Sequence, residues 1–297
     1  MTVEVDLHLH TQASDGTLSP TQLVNLCAER GLKVIAISDH DSTEGLSEAY
    51  TAVQEHPGVE IIPAIELSAD VPGSEIHILG YFIDMSDSAF QQTLKRFREG
   101  RYERGRLMVE KLIELGYSIT WERVQEIADD AAIGRPHIAS AVVEAGYFKY
   151  SKDVFDSLIG RNGPAYVERA KLTPEDAVAM LRENGAVPVM AHPTYSAVKS
   201  DRGDVQSLEE TLARLKARGL EGVEVFYGDY TREQVAYLKG IADNLGLIPC
   251  GGSDYHCSGN PGEPEPGSVG PPMQTVTRLR ESHLRIRSAA ATGRAPG

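Results

Sequence analysis

The chain has 297 residues, 41% of them hydrophobic and 24% charged, ordinary proportions for a globular protein with a large core. A formal net charge of -14 argues against a broad basic track for long nucleic acid, and no apolar run approaches the ~20 residues of a membrane span. A strand pattern begins by Val3, leaving no room for a signal peptide, and the widely spaced Cys27, Cys250 and Cys257 read as reduced thiols of a cytoplasmic protein.

Strand-like runs fall at 3–10, 33–38, 59–66, 76–83, 186–191, 221–227 and 246–251. Most are continuous Val/Ile/Leu stretches such as Val34-Ile35-Ala36-Ile37, the pattern of parallel strands covered by helices on both faces. Ser19-Pro20-Thr21-Gln22 starts a helix with an N-cap serine, a proline in the first turn and a capping-box glutamine, and Thr173-Pro174-Glu175-Asp176 starts another in the same way. Further helices near 44–55, 207–218, 231–245 and 281–292 complete an α/β alternation whose seven strands predict a closed or nearly closed barrel. The stretch from about 86 to 172 breaks that rhythm and reads as helices over 87–115, 121–130, 136–146 and 151–160, a helical cap inserted between the fourth and fifth strands. Segments 195–206 and 257–273 read as loops beside the strand ends, the second rich in proline and glycine.

Six of the nine histidines sit in short patterns that follow strand-like runs: His8-Leu9-His10, Ser38-Asp39-His40-Asp41, Ile76-His77, Ala191-His192-Pro193 and Ser253-Asp254-Tyr255-His256. Asp15, Glu66 and Asp254 add carboxylates. Neutral imidazole is the commonest metal ligand among side chains, and carboxylates complete hard or borderline sites. Residues two apart on a strand share a face, so His8 and His10 can grip one ion. On that alternation Asp6, His8 and His10 face the barrel axis while Val5, Leu7 and Leu9 face the helices. Groups of this kind at the C-terminal ends of barrel strands point to a multinuclear metal hydrolase.

The motifs Asp6-Leu7-His8-Leu9-His10, Ser14-Asp15-Gly16, Ser38-Asp39-His40-Asp41, Glu66-Leu67-Ser68, His77-Ile78-Leu79-Gly80, Ala191-His192-Pro193 and Gly252-Ser253-Asp254-Tyr255-His256 together resemble the polymerase and histidinol phosphatase (PHP) family of metallohydrolases. The resemblance implies a distorted seven-stranded (β/α)7 barrel in two parts, 1–85 and 173–297, with the helical cap over 86–172. It implies up to three divalent ions, with manganese, iron and zinc as candidates. His8, His10, Glu66 and Asp254 would hold the first ion, Glu66, His77 and His192 the second, and Asp15, His40 and His256 the third. Ala64 departs from the family, which commonly has glycine there. Asp15, Glu66, His192 and Asp254 are the residues expected to carry catalysis, in which a metal-activated hydroxide attacks phosphorus. Asp39 and Asp41 flank His40 and either orient it or cap the strand end.

Gly134-Arg135-Pro136-His137 begins a cap helix, and an arginine fork at a helix N-terminus suits a phosphate. Arg135 and His137 are therefore expected to touch substrate. The basic tract from Arg161 to Lys171 offers a second anion site or a solvated linker, with Lys171 taken as substrate-binding. The tract from Lys95 to Arg106 reads as a solvated helix face, His56 and His283 as surface residues, and Trp121 as packing in the cap. The implied substrate is a small phosphorylated nucleotide, a nucleoside 3′,5′-bisphosphate first, with short 5′-phosphorylated oligoribonucleotides as further substrates. The alternatives are a histidinol-phosphate phosphatase, a cyclic amidohydrolase of a related barrel class, and a metal-free binding module.

Overall fold

The computed structural model describes residues 3–71, 74–129, 131–168, 172–193, 207–228 and 230–292. Strands β1 (Val5–Leu9), β2 (Val34–Ile37), β3 (Glu60–Val71), β4 (Ser74–Tyr81), β5 (Val187–Met190), β6 (Gly222–Tyr227) and β7 (Ile248–Gly252) pair in sequence order. Just beyond the strand ends, His10 N–H donates to Tyr255 O at 3.0 Å and Asp254 N–H to His8 O at 2.9 Å, which draws β7 back against β1. The result is a nearly closed barrel. The helices are α1 (Pro20–Glu29), α2 (Leu46–Ala52), α3 (Ser88–Glu114), α4 (Trp121–Ala128), α5 (Arg135–Glu144), α6 (Ser151–Val154, continuing into a π-helical turn over Phe155–Ile159), α7 (Pro174–Glu183), α8 (Leu208–Lys216), α9 (Arg232–Leu245) and α10 (Met273–Ala291). None among the described residues is long and apolar enough to cross a membrane.

Not every strand is parallel. β4 runs antiparallel to both β3 and β5. β3 continues past 66 to Val71, which pairs with Ser74, and so few residues between two strands allow a hairpin but no crossover helix. His77 therefore lies near the start of β4 rather than at a strand's C-terminal end. The reversal is what brings it to the same rim as the other histidines. α10 also starts at Met273, well ahead of 281, because Pro272 occupies its N-cap position.

Two apolar layers hold the barrel. On its outside, Leu23, Val24 and Cys27 of α1 pack on Ile35 and Ile37 of β2, and each fully buried aliphatic chain contributes roughly 1.5–3 kcal/mol. The interior is filled by Val5, Leu7, Ala36, Ala64, Tyr81, Val189 and Cys250, to which α10 adds Val276 and Leu279. β1 does not alternate regularly between these layers. Asp6 pairs with Ile35 and Leu9 with Ile37, three steps against two, which is a β-bulge. Before the bulge Val5 and Leu7 face the interior; after it His8 and His10 do, while Leu9 joins the outer core. This corrects the regular alternation expected from sequence. Asp6 points away from the axis and accepts from the N–H groups of Ser253 at 2.9 Å and Gly267 at 3.0 Å.

The insert between β4 and β5 has a core of its own, including Met108, Leu112, Val124, Ile138, Val142 and Ile159, with Trp121 packed against it. The basic tract on α3 is only in part a solvated face: Lys95 and Arg96 are exposed, but the arginines that follow are not. Arg98 and Arg101 are half-buried and Arg104 is buried; Arg104 donates from Nε to Val167 O at 2.8 Å. His56 and His283 are half-buried too, with His56 Nε2 2.7 Å from Asn25 Oδ1 and His283 Nδ1 2.9 Å from Gly185 O. The 195–206 loop expectation falls outside the described residues.

Candidate metal centre

Glu66 stands at the centre of the barrel rim, fully buried. Its Oε2 lies 3.2 Å from His8 Nε2, 3.3 Å from His10 Nε2 and 3.3 Å from His40 Nδ1. Its Oε1 lies 2.9 Å from His77 Nδ1 and 3.1 Å from His192 Nε2. Asp254 Oδ1 faces His8 and His10 at 3.2 and 3.1 Å. Asp15 lies 3.3 Å from His256 Nε2 and 3.7 Å from His40 Nε2. Three groupings result: His8, His10, Glu66 and Asp254; His40, Glu66 and His77; and His10, Asp15, His40 and His256, with one ligand atom from each residue within 4.8 Å of the others. His40 thus spans two groupings, where sequence reasoning gave it only to Asp15 and His256.

Glu66 is within hydrogen-bond distance of His8, His77 and His192, but the cluster does not satisfy all of its own polar atoms. His10 Nδ1 and Nε2, His40 Nδ1 and Asp254 Oδ1 are buried without a hydrogen bond of acceptable geometry. Buried polar atoms are normally satisfied, so such a convergence of lone pairs suits cations. The donor set of imidazoles and carboxylates fits divalent ions. Without them the electrostatics are frustrated. Burial opposes the ionisation of Glu66, yet the imidazoles of His40, His8 and His77 hold its carboxyl well below the usual range. Asp15 behaves alike through His40 and His256. Burial disfavours charge on His77 and His256 as well, but Glu66 and Asp15 respectively push them up to about 10. For His40 burial wins and lowers it to about 3.

Some supporting residues were expected and others were missed. Asp39 accepts from Thr11 N–H, Thr11 Oγ1–H and Ser14 Oγ–H, each at 2.7 Å, and so fixes the loop that carries Asp15. Asp41 accepts from Arg101 Nε at 2.7 Å. Glu224, in the middle of β6, was not anticipated: its Oε1 is 3.1 Å from His8 Nδ1 and its Oε2 accepts from His192 N–H at 2.8 Å. A carboxylate inside the apolar run Gly222-Val223-Glu224-Val225-Phe226 was the available signal.

Beside the centre lies a cavity of about 170 Å³. It is lined by Asp15, His40, Glu75 and His77 together with Arg101, Arg104, Arg135 and Phe155. Arg135 Nη2 donates to Glu75 Oε2 at 2.6 Å, and its guanidinium lies 5.6 Å from the Phe155 ring centre. His137 is buried outside this cavity; its Nδ1 accepts from Gly134 N–H at 3.0 Å and closes the first turn of α5. Arg161 is half-buried, 3.7 Å from Asp70 Oδ1, and Lys171 falls outside the described residues. On the other side of Pro136 an open groove of about 780 Å³ runs past Asp15, Glu44, Glu48 and Asp129.

A seven-stranded barrel with six imidazoles and three carboxylates gathered round one rim defines a metal-dependent hydrolase. Residues 6–163 match the PHP domain, and the chain belongs to that family. It is 32% identical over 259 residues to the 3′,5′-nucleoside bisphosphate phosphatase of Chromobacterium violaceum, covering 87% of this chain and 89% of that protein. It is 31% identical over 254 residues to the 5′-3′ exoribonuclease Rnm of Salmonella typhimurium, covering 84% of each. A solved structure from Bifidobacterium adolescentis, assigned to the metal-dependent phosphoesterases, superposes with a TM-score of 0.83 at 32% identity, covering 94% of this chain and 96% of that one. The chain is a hydrolytic phosphoesterase of this type.

Proposed function

We propose that the substrate is a small nucleotide with two phosphates, a nucleoside 3′,5′-bisphosphate first among them, and that one phosphate is removed as inorganic phosphate. The observation that carries this reading is the lining of the 170 Å³ cavity, which combines the candidate ligands Asp15, His40 and His77 with three arginines. A monophosphate needs only the former. A second phosphate gives the guanidinium of Arg135 a partner other than Glu75, and charge-assisted contacts of this kind are strong. The name of the Chromobacterium violaceum relative supports the same class.

His8, His10, Glu66 and Asp254 are assigned to one ion, Glu66, His77 and His192, which meet at Glu66 Oε1, to a second, and Asp15, His40 and His256 to a third, with His40 Nδ1 also 3.3 Å from Glu66 Oε2. Manganese, iron and zinc suit this nitrogen and oxygen set. Bound ions would lower the pKa of water toward neutrality and offset charge on phosphoryl oxygens. Asp15, Glu66, His192 and Asp254 hold that charge in place, and Arg101 and Arg135 orient the substrate against it. Burial by the cap strengthens each of these interactions. The reading places the enzyme in the cytoplasm, where its free Cys27, Cys250 and Cys257 stay reduced.

A second substrate, short 5′-phosphorylated oligoribonucleotide, is favoured by the open groove beside Asp15. Its Glu44, Glu48 and Asp129 repel further phosphates, so short chains should be preferred. The test is phosphate release from adenosine 3′,5′-bisphosphate, AMP and histidinol phosphate at fixed ionic strength with manganese. The bisphosphate should give the highest kcat/KM. Preference for histidinol phosphate would reassign the substrate, and hydrolysis of a lactam or imide without phosphate release would overturn the class of substrate altogether.

A further inference from the structure

β6 contributes no group to the three ligand clusters. It nevertheless touches three of the proposed ligands. Glu224 reaches His8 Nδ1 and the backbone of His192, and Tyr227 Oη–H donates to Asp254 Oδ2 at 2.8 Å. The strand can do this because it carries a bulge. Glu224 pairs with Cys250 and Phe226 with Gly251, two steps against one, so that both Glu224 and Tyr227 turn toward the axis while Val225 and Phe226 join the outer core.

Glu224 is fully buried above an interior of Leu7, Tyr81, Val189 and Cys250. A carboxylate there is costly unless its oxygens are well used. Each oxygen meets a different donor. Oε1 faces His8 Nδ1, which places the ring proton on that nitrogen and leaves the Nε2 lone pair toward Glu66 and Asp254, 3.2 Å away in each case. Oε2 receives the N–H of His192, whose backbone has an unusual φ of 23°. That kink at the end of β5 turns the His192 ring so that Nε2 comes within 3.1 Å of Glu66 Oε1.

We infer that Glu224 is a positioning residue for the metal centre: it fixes the tautomer of His8 and the turned backbone of His192, and so sets the affinity of the first two ion positions without contacting either ion. The inference rests on the proposed metal centre and not on the substrate. Hydrogen-bond partners behind metal-binding histidines typically govern affinity by about 10–100-fold. The third position, built on Asp15, His40 and His256, has no contact with Glu224 and should be spared.

The experiment is manganese titration of chelator-stripped protein, by calorimetry and by electron paramagnetic resonance, with no substrate present. Glu224→Gln keeps the shape but offers one acceptor where two donors converge. It should weaken two of the manganese sites by about 10–100-fold and leave the third within about threefold of wild type. The Tm of the stripped variant should stay close to wild type, which separates positioning from general destabilisation. Glu224→Asp, which keeps the charge but retracts it by one methylene, should fall between the two. Should Glu224→Gln fail to fold, Glu224→Asp carries the same test. Manganese affinities within threefold of wild type at all sites, or an equal loss at every site together with a collapse in Tm, would overturn the inference. A failed nucleotide assay would leave it standing, since no arm of the experiment reads turnover.

Discussion

Arg101 holds Asp41 across the junction between the helical insert and the barrel. Its Nε donates to Asp41 Oδ2 at 2.7 Å, and its Nη2 donates to Ser68 Oγ at 2.8 Å. Asp41 is fully buried, and Arg101 lines the cavity beside Asp15 and His40. One guanidinium therefore ties α3 to the ends of β2 and β3 while facing the place where substrate would lie.

Arg101→Ala should accordingly destabilise the fold by about 3–5 kcal/mol, the scale of removing one partner from a buried ion pair. Arg101→Lys should recover part of this, because an ammonium can meet Asp41 but cannot also reach Ser68 with a planar fork. Urea unfolding gives the difference. A change below about 1 kcal/mol for Arg101→Ala would mean that the contact is incidental.

Metal uptake should release protons. His77 and His256 are each pushed up to about 10, against burial, by the carboxylates of Glu66 and Asp15. At pH 7 both are protonated in metal-free protein, and an ion needs the lone pair each proton occupies. Loading should release at least about two protons, and apparent affinity should rise with pH by roughly a decade per unit for each proton displaced. For the metal-free chain the sign is reversed. The stability these charged histidines contribute is full below their ordinary 6.5 and is lost as pH rises toward 10. Calorimetry in two buffers of different ionisation enthalpy counts the protons, and a binding heat independent of buffer would refute the scheme.

Much of this centre was legible because most of the ligands sit in a short motif after an apolar run, His77 near the start of β4 being the exception. What supports the ligands was harder to read. Nothing in Asp6-Leu7-His8 announces a bulge, since no glycine marks it, and a regular alternation places Val5 and Leu7 on the wrong side. The direction of β4 could have been suspected, because the gap between the two strand runs is too short for a helix. Leu94, Phe97, Arg101, Arg104 and Met108 follow the three-and-four spacing of a buried helix stripe, so two arginines in it were a sign of function that the charge of the tract concealed. Glu224 looked like one polar residue in a strand; only the covering of both faces of the sheet makes it significant.

His137 should make the insert sensitive to acid. Burial lowers its pKa, with Asp15 and Arg101 acting in opposite senses nearby. Backbone contacts with Ser14 and Gly134 oppose burial without overcoming it. Below about 6.5 the unfolded chain takes a proton that the folded chain refuses, so stability is present above that pH and is lost as pH falls through it. His137→Asn, which keeps an acceptor for Gly134, should flatten the fall in Tm between pH 7 and 5 relative to wild type. Parallel Tm curves for the two proteins would show that His137 is not responsible.

Arg135 offers the sharpest test of the substrate. Its guanidinium is held by Glu75 at 2.6 Å, lies over Phe155 and lines the same cavity as His77. Glu75 Oε1 is in turn 3.6 Å from His77 Nε2, so the same carboxylate stands between the cap and a proposed ligand. A second phosphate entering the cavity would compete with Glu75 for Arg135. Arg135→Ala should then lower kcat/KM for adenosine 3′,5′-bisphosphate by roughly tenfold or more, the scale of a lost charge-assisted contact, and affect AMP less. Metal content should not change, because Arg135 belongs to no ligand cluster. Glu75→Gln should act in the opposite sense on KM for the bisphosphate, by releasing the arginine, while lowering the hold on His77. Equal losses for AMP and the bisphosphate on Arg135→Ala would show that the arginine supports the cap and reads no second phosphate.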